Sequence, residues 1–157
     1  MSDTLLVRTA TEADIAGMSA IRLRVTENVL SNPDRITPAM YRDYLGAAGK
    51  SWVCLVDGAI AGFSSADHND NSIWALFVDP PHEGKGIGAR LLAQATGYLF
   101  GLGAARISLS TTAHTRADRF YAQQGWRRGE ETPLSPGPTG AARADVRFTL
   151  HRTHVNG

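Results

Sequence analysis

The sequence predicts a mixed α/β (α+β) fold, and three stretches carry that reading. Trp52-Val53-Cys54-Leu55-Val56 and Ala59-Ile60-Ala61-Gly62-Phe63 flank Asp57-Gly58, the strongest hairpin signal in the chain. Ser72-Ile73-Trp74-Ala75-Leu76-Phe77-Val78 is a near-continuous apolar run, the pattern of a strand covered on both faces. It leads directly into Asp79-Pro80-Pro81-His82-Glu83-Gly84-Lys85-Gly86-Ile87-Gly88-Ala89-Arg90-Leu91-Leu92, a Pro-marked exit, a glycine-spaced turn and the start of an amphipathic helix.

The other elements follow from local signals. Leu5-Leu6-Val7-Arg8 is a short strand, and Thr11 with Asp14 three residues later resembles a capping box opening a helix to about Val25. Asn32-Pro33-Asp34 breaks the chain, and a second helix is expected after Thr37-Pro38, through Leu45. Residues 67–71 form a polar turn before the apolar strand. Leu91, Leu92, Ala95, Leu99 and Leu102 recur as the buried stripe of the helix after the glycines. Residues 106–111 read as a strand, and a helix begins near Thr115. Residues 131–142, rich in Pro and Gly, read as a loop, 145–150 as the last strand, and the tail from His151 as frayed.

Bulk properties narrow the setting. At 157 residues the chain is expected to form one domain with a single core. A net charge of +1 gives no argument for nucleic acid or an anionic membrane as partner. The one cysteine, Cys54, lies among Trp52, Val53, Leu55 and Val56 and reads as a buried thiol rather than a nucleophile. The N-terminus lacks a basic, signal-like apolar run, and the most apolar segment, 91–105, is too short to span a bilayer. A cytoplasmic protein is expected, and no metal site is predicted.

The glycine turn carries the chemistry. Glycines at every second position let backbone N–H groups approach one anion without interference from Cβ atoms. The helix that follows adds its unpaired N–H groups and the positive end of its dipole. A dinucleotide fingerprint fails, because its third small residue falls on Leu91 when counted from Gly86. A Walker A loop fails as well, because Lys85 is followed by Gly86 rather than Ser or Thr.

Glu83-Gly84-Lys85-Gly86-Ile87-Gly88 resembles the acyl-CoA loop Gln/Arg-x-x-Gly-x-Gly/Ala of the GNAT N-acetyltransferases, departing from it at the first position. A second stretch, His114-Thr115-Arg116-Ala117-Asp118-Arg119-Phe120-Tyr121-Ala122-Gln123-Gln124-Gly125-Trp126, resembles the family's Asn-x-x-Ala-x-x-Phe/Leu-Tyr-x-x-x-Gly-Phe/Trp through Ala117, Phe120, Tyr121, Gly125 and Trp126. Two motifs in the family's order, about thirty residues apart, are far more specific than either alone. The resemblance runs from Leu5 to about Leu150.

The resemblance implies a mostly antiparallel mixed sheet with one splayed parallel strand pair, flanked by about four helices. It implies acetyl-CoA as co-substrate, with the pantetheine arm paired to the backbone of Leu76, Phe77 and Val78 and the pyrophosphate on the N–H groups of Gly84, Lys85, Gly86, Ile87, Gly88 and Ala89. The side chains of Lys85 and Arg90 are further candidates for phosphate contact. Tyr121 is the implied acid that protonates the departing thiolate, and the N–H of Val78 the implied oxyanion donor. Phe120 is assigned to the core. His114 stands where many members have an Asn near the pantetheine; it is carried as a cofactor contact, a helix cap or a solvent-facing side chain.

No general base is legible. One family position falls on Ser72 and another on Ser110 and Thr111, none of them a carboxylate; Glu27, Asp67 and His68 are the remaining candidates. Glu27, Asn28, Asn32, Arg35, Tyr41 and Tyr44 come from the segment that shapes the acceptor pocket in the family, and would suit a small polar amine or an amino acid. Direct attack of such an amine on the thioester is the expected reaction. A catalytically silent acyl-CoA sensor of the same fold stays open as the alternative. The resemblance also implies a homodimer, with residues 145–150 as the strand offering an edge.

Overall fold

The structure is a computed structural model that describes residues 4–26, 37–134 and 143–152. One seven-stranded sheet organises them. Its strands are β1 (Leu5–Thr9), β2 (Gly49–Val56), β3 (Ala59–Asp67), β4 (Ser72–Val78), β5 (Arg106–Thr112), β6 (Arg127–Leu134) and β7 (Arg143–His151), in the order β1-β2-β3-β4-β5-β7-β6. Every neighbouring pair is antiparallel except β4 and β5. The helices are α1 (Ile15–Thr26), α2 (Pro38–Asp43), α3 (Ile87–Gly101) and α4 (Arg116–Gln123).

The local signals translate into structure with identifiable causes. Asp57 and Gly58 take φ of 50° and 87°, the paired left-handed conformation of a turn whose twist matches its strands. Thr11 and Asp14 form the reciprocal capping box ahead of α1, and Asp14 also takes two bonds from the Arg8 guanidinium, at 2.7 and 2.9 Å. Thr37 accepts from the Met40 N–H and Pro38 opens α2, where its missing N–H costs nothing.

The sheet separates two apolar layers. One lies under α3 and holds Cys54, Ile73, Leu91, Ala95, Leu99, Ile107 and Phe148. The other lies under α1 and α2 and holds Met18, Ile21, Tyr41, Val53, Phe63 and Ala75. α3 approaches β3 closely at Gly62, where an added Cβ would stand 3.1 Å from both Ile87 and Leu91. Cys54 is fully buried, as expected, and burial pushes its thiol pKa up.

β4 contains one extra residue. Ser65 pairs with Ala75 and Ala66 with Ile73, so Trp74 has no partner on β3 and bulges. Trp74 and Ala75 consequently turn to the same face, beside α1 and α2, while Ile73, Leu76 and Val78 face α3.

Four expectations are corrected. Residues 131–134 belong to β6, which tolerates Gly129 and Pro133 because it is an edge strand with a bulge between Arg128 and Glu131. Leu102 is not in the buried stripe; it caps the end of α3 and is 60% exposed, whereas Ile87 at the start is buried. β7 lies between β5 and β6 and offers no edge, so pairing between two copies would have to use β1 or β6. His151, expected in the tail, is the last residue of β7. Among the described residues no helix is long and apolar enough to cross a membrane.

Candidate active site

A gap between two parallel strands is the dominant feature. β4 and β5 share a single register pair, Ser72 with Ser108. Beyond it the strands separate, and Ser64, Phe63 and Gly62 of β3 pair with Leu76, Phe77 and Val78 along their other edge only. The β5-facing amides of these three residues therefore form an open strand edge inside the sheet, available to an extended ligand.

The gap leads to the glycine turn. Gly84 and Gly86 both sit in the left-handed region, at φ of 82° and 80°. Gly86 is the N-cap of α3; no side chain caps that terminus and no acidic residue occupies its first turn. The N–H groups there are thus unclaimed by caps, and a Cβ built at Gly84 or Gly86 would meet nothing within 4 Å. This open, uncapped turn fits an anion on backbone donors. Ile87 contributes only its backbone, because its side chain is buried beside Gly62.

Charged side chains fix the turn from outside. The Arg24 guanidinium grips Asp79 with two bonds of 3.0 Å, tying α1 to the end of β4. Arg116 of α4 pairs with Glu83 at 3.0 Å, and Lys85 Nζ lies 3.2 Å from His82 Nδ1. Glu83, where the sequence departs from the acyl-CoA motif, thus holds α4 to the turn. Sequence reading did not single out Arg24 or Arg116; each needs a partner more than thirty positions away, and nothing in the local pattern marks it.

Tyr121 projects from α4 into the layer under α3. It is 6% exposed and packs edge-on to Phe120 and Trp126, with ring centroids 5.3 and 5.9 Å away, and tilted to Phe148 at 5.6 Å. Burial alone drives its phenol pKa well up, and its hydroxyl makes no hydrogen bond to the described residues. Phe120, expected in the core, is the less buried of the two and lies over the start of α3, 3.4 Å from where a Cβ on Gly88 would stand.

The acetyltransferase (GNAT) family model matches residues 17–126, a span that includes both motifs and the gap. The chain belongs to the GNAT family of acetyltransferases. No curated protein matches it in sequence. Solved structures share its fold. The yncA protein of Salmonella typhimurium, with its cofactor acetyl-CoA, superimposes with a TM-score of 0.78 at 18% identity over 98% of this chain and 96% of that one. A ribosomal-protein-alanine N-acetyltransferase from Brucella melitensis gives 0.78 at 20% identity, over 94% and 99%. An N-acetyltransferase from Staphylococcus aureus gives 0.78 at 15%, over 94% and 98%.

Other expected site residues of this GNAT enzyme have structural partners. His114 adopts φ of 63°, and its largely exposed ring lies 2.9 Å from Glu131. The cap of α4 is Thr115, which accepts from the Asp118 N–H at 3.3 Å. Asp118 is buried, receives the His114 N–H and two Arg128 bonds of 2.8 Å each, and is held down to about 2 mainly by the guanidinium.

On the opposite side of the sheet, Tyr41 is a core residue at 1% exposure, edge-on to Trp74 and Phe63. Tyr44 stacks on Trp74 at 4.3 Å and donates to Asp67, and burial with that bond pushes its phenol up to about 12. Asp67 is thereby engaged as a structural acceptor. His68 has both ring nitrogens in contacts, with Tyr98 at 2.8 Å and the Ala47 carbonyl at 3.2 Å. Glu27, Asn28, Asn32 and Arg35 lie outside the described residues.

Proposed function

We propose that this enzyme transfers the acetyl group of acetyl-CoA to the primary amine of a small-molecule or amino-acid-like acceptor, by direct attack in a ternary complex. The observation that carries the reading is the single register pair between β4 and β5, which leaves an open strand edge leading to an uncapped helix N-terminus. Acetyl-CoA, present in the yncA structure, supplies an acetyl thioester as electrophile. The edges of Leu76, Phe77 and Val78 would hold the pantetheine amides, and the N–H groups from Gly84 to Ala89 the pyrophosphate.

Each remaining role belongs to a group of this chain. The Val78 N–H donates to the acyl oxygen as negative charge develops there. Tyr121 keeps its proton across the ordinary pH range because burial raises its pKa. Complete transfer to a thiolate of pKa about 8.5 is uphill from such a phenol. A hydrogen bond that strengthens as sulfur becomes anionic still lowers the barrier, since only the difference between ground and transition state counts.

The experiment is acceptor-dependent thiol release from acetyl-CoA, wild type beside Tyr121→Phe, across amino acids, polyamines, aminoglycosides and peptides. Turnover with a small amine, reduced about 100-fold or more in the phenylalanine variant at unchanged melting temperature, is the expected result. Stabilisation by CoA without turnover on any acceptor would establish the silent sensor instead. No response to CoA at all would overturn the site.

A further inference from the structure

β5 and β7 turn a second face away from α3, and it is basic. Ile107 and Leu109 of β5, with Val146, Phe148 and Leu150 of β7, belong to the layer under α3. Their alternating neighbours Arg106, Ser108, Arg147 and His151 therefore point to the opposite face. Arg106 stands directly across the ladder from His151, and Ser108 follows two positions along β5. Arg147 starts further away, opposite Ser110, but its guanidinium reaches back to donate to the Ser108 hydroxyl at 3.1 Å. Two guanidiniums and an imidazole thus gather around Ser108.

These four residues line a cavity of about 420 Å³, together with Asp70 and Asn71 from the turn between β3 and β4. The cavity lies across the Ser72–Ser108 bridge from the gap, and the Ser108 N–H donates to the Asn71 carbonyl at 3.0 Å, which fixes its walls to one another. No acid in it neutralises the cations. Among the described residues the side chains of Arg106 and His151 have no hydrogen bond or ion pair, and Arg147 bonds only to the uncharged Ser108 hydroxyl. Asp70 accepts from the Ser72 hydroxyl and forms no ion pair with any of the three. Asp145, the other β7 acid on this face, likewise has no ion pair among the described residues. A single solvated arginine is ordinary at a surface. Two that converge in one concavity beside a histidine, without an acid partner, form an arrangement that an oxyanion completes.

We propose that this cavity is a second anion site, which takes a small organic molecule bearing a phosphate or carboxylate group. It is separate from the glycine turn and does not depend on the acetyl-transfer reading. The planar forks of Arg106 and Arg147 match the oxygen pair of either group. Ser108 is only 8% exposed, and because its oxygen accepts from Arg147 its own O–H remains to donate to the same ligand. The volume falls within the range of small-molecule sites, about 300–1,000 Å³, and leaves room for an organic body beside the anionic group. Asp70 and Asn71 form the wall that such a body would face. A carboxylate accepts from hydroxyl groups and an amide both donates and accepts, so the body this wall suits is a hydroxylated one.

The test is titration calorimetry on the full chain with the glycine turn filled by saturating CoA, using inorganic phosphate, glycerol 3-phosphate and malate as probes. One molecule per chain should bind, and glycerol 3-phosphate or malate should bind about fivefold or more tighter than inorganic phosphate; whichever does so assigns the anionic group. Arg106→Gln and Arg147→Gln should each weaken that binding about 10-fold, the loss of one charge-assisted contact. Arg42→Gln, which removes the same charge on the far side of the molecule, should bind as wild type does. Arg106→Gln gives up no contact among the described residues, so its melting temperature without ligand should stay within about 2 °C of wild type. Absence of binding by all three probes at about 10 mM overturns the site. So does binding that CoA abolishes, which would put the anion in the glycine turn, or equal weakening in Arg42→Gln, which would make it a response to net charge. Inorganic phosphate binding as tightly as both organic probes overturns the organic ligand.

Discussion

Gly86 and Gly88 stand two positions apart, and their substitution by alanine should have opposite consequences. Gly86 is held at φ of 80° and Gly88 lies within the first turn of α3. A left-handed conformation costs an L-residue about 1–2 kcal/mol, and alanine recovers part of this by restricting the unfolded chain, so Gly86→Ala should destabilise by about 1 kcal/mol. At this chain length that lowers the melting temperature by about 2–4 °C. Any relaxation to negative φ turns an N–H away from the anion, and one lost charge-assisted bond, at about 1.5–3 kcal/mol, weakens CoA binding at least 10-fold. At Gly88 a Cβ would stand 3.4 Å from Phe120 and 3.6 Å from Val78, ordinary contact distances. Gly88→Ala should therefore gain up to about 1 kcal/mol of helix propensity and raise the melting temperature by about 1–3 °C, with CoA affinity within about threefold. Thermal unfolding and titration calorimetry with CoA read both quantities on the same samples. Unchanged CoA affinity in Gly86→Ala, or lost affinity in Gly88→Ala, would refute the assignment of anion binding to this backbone.

Two further outcomes test the packing around the site. Asp118 is held at about 2 against an ordinary 3.8, so its ionised form stabilises the fold fully above pH 4, and that contribution is lost as pH falls towards 2. With Arg128 one-third exposed and partly screened, it amounts to about 1–2 kcal/mol. Asp118→Asn should melt about 3–6 °C lower at pH 7, and calorimetry should show the difference closing by pH 2–3. In α3, Leu99→Ala should cost about 2–5 kcal/mol by opening a cavity at a fully buried site. Leu102→Ala, at a side chain left 60% exposed, should stay within about 0.5 kcal/mol in denaturant unfolding.

What the sequence disclosed depends on the range of the interaction concerned. The hairpin at Asp57-Gly58, the capping box at Thr11 and the glycine turn at residues 84–88 depend on neighbouring backbone groups, so a few residues determine them. β6 was hidden because Gly129 and Pro133 signal a loop wherever a strand must pair on both sides, and β6 is an edge. Phe120 and Tyr121 are adjacent on a helix, so they diverge by about 100°, and which one enters the core is decided by Trp126 and Phe148. The family motif singled out Tyr121 as the implied acid and left Phe120 to the core, whereas Tyr121 is the more deeply buried of the two.

The extra residue at Trp74 connects these levels. Without it, β4 would alternate regularly and Trp74 would face α3; with it, Trp74 joins Tyr41 and Tyr44 beneath α2. A bulge also bends its strand and increases its local twist, the physical route by which β4 leaves β5 after one bridge. The resulting open edge offers hydrogen bonds that a ligand amide exchanges for water, worth only about 1 kcal/mol each net. Such an edge positions an extended ligand better than it retains one. Retention must come from the N–H groups and helix dipole at residues 84–89, where the partner is ionic. On the proposed function, cofactor affinity would thus reside at one end of the gap, and its other half would be left to chemistry.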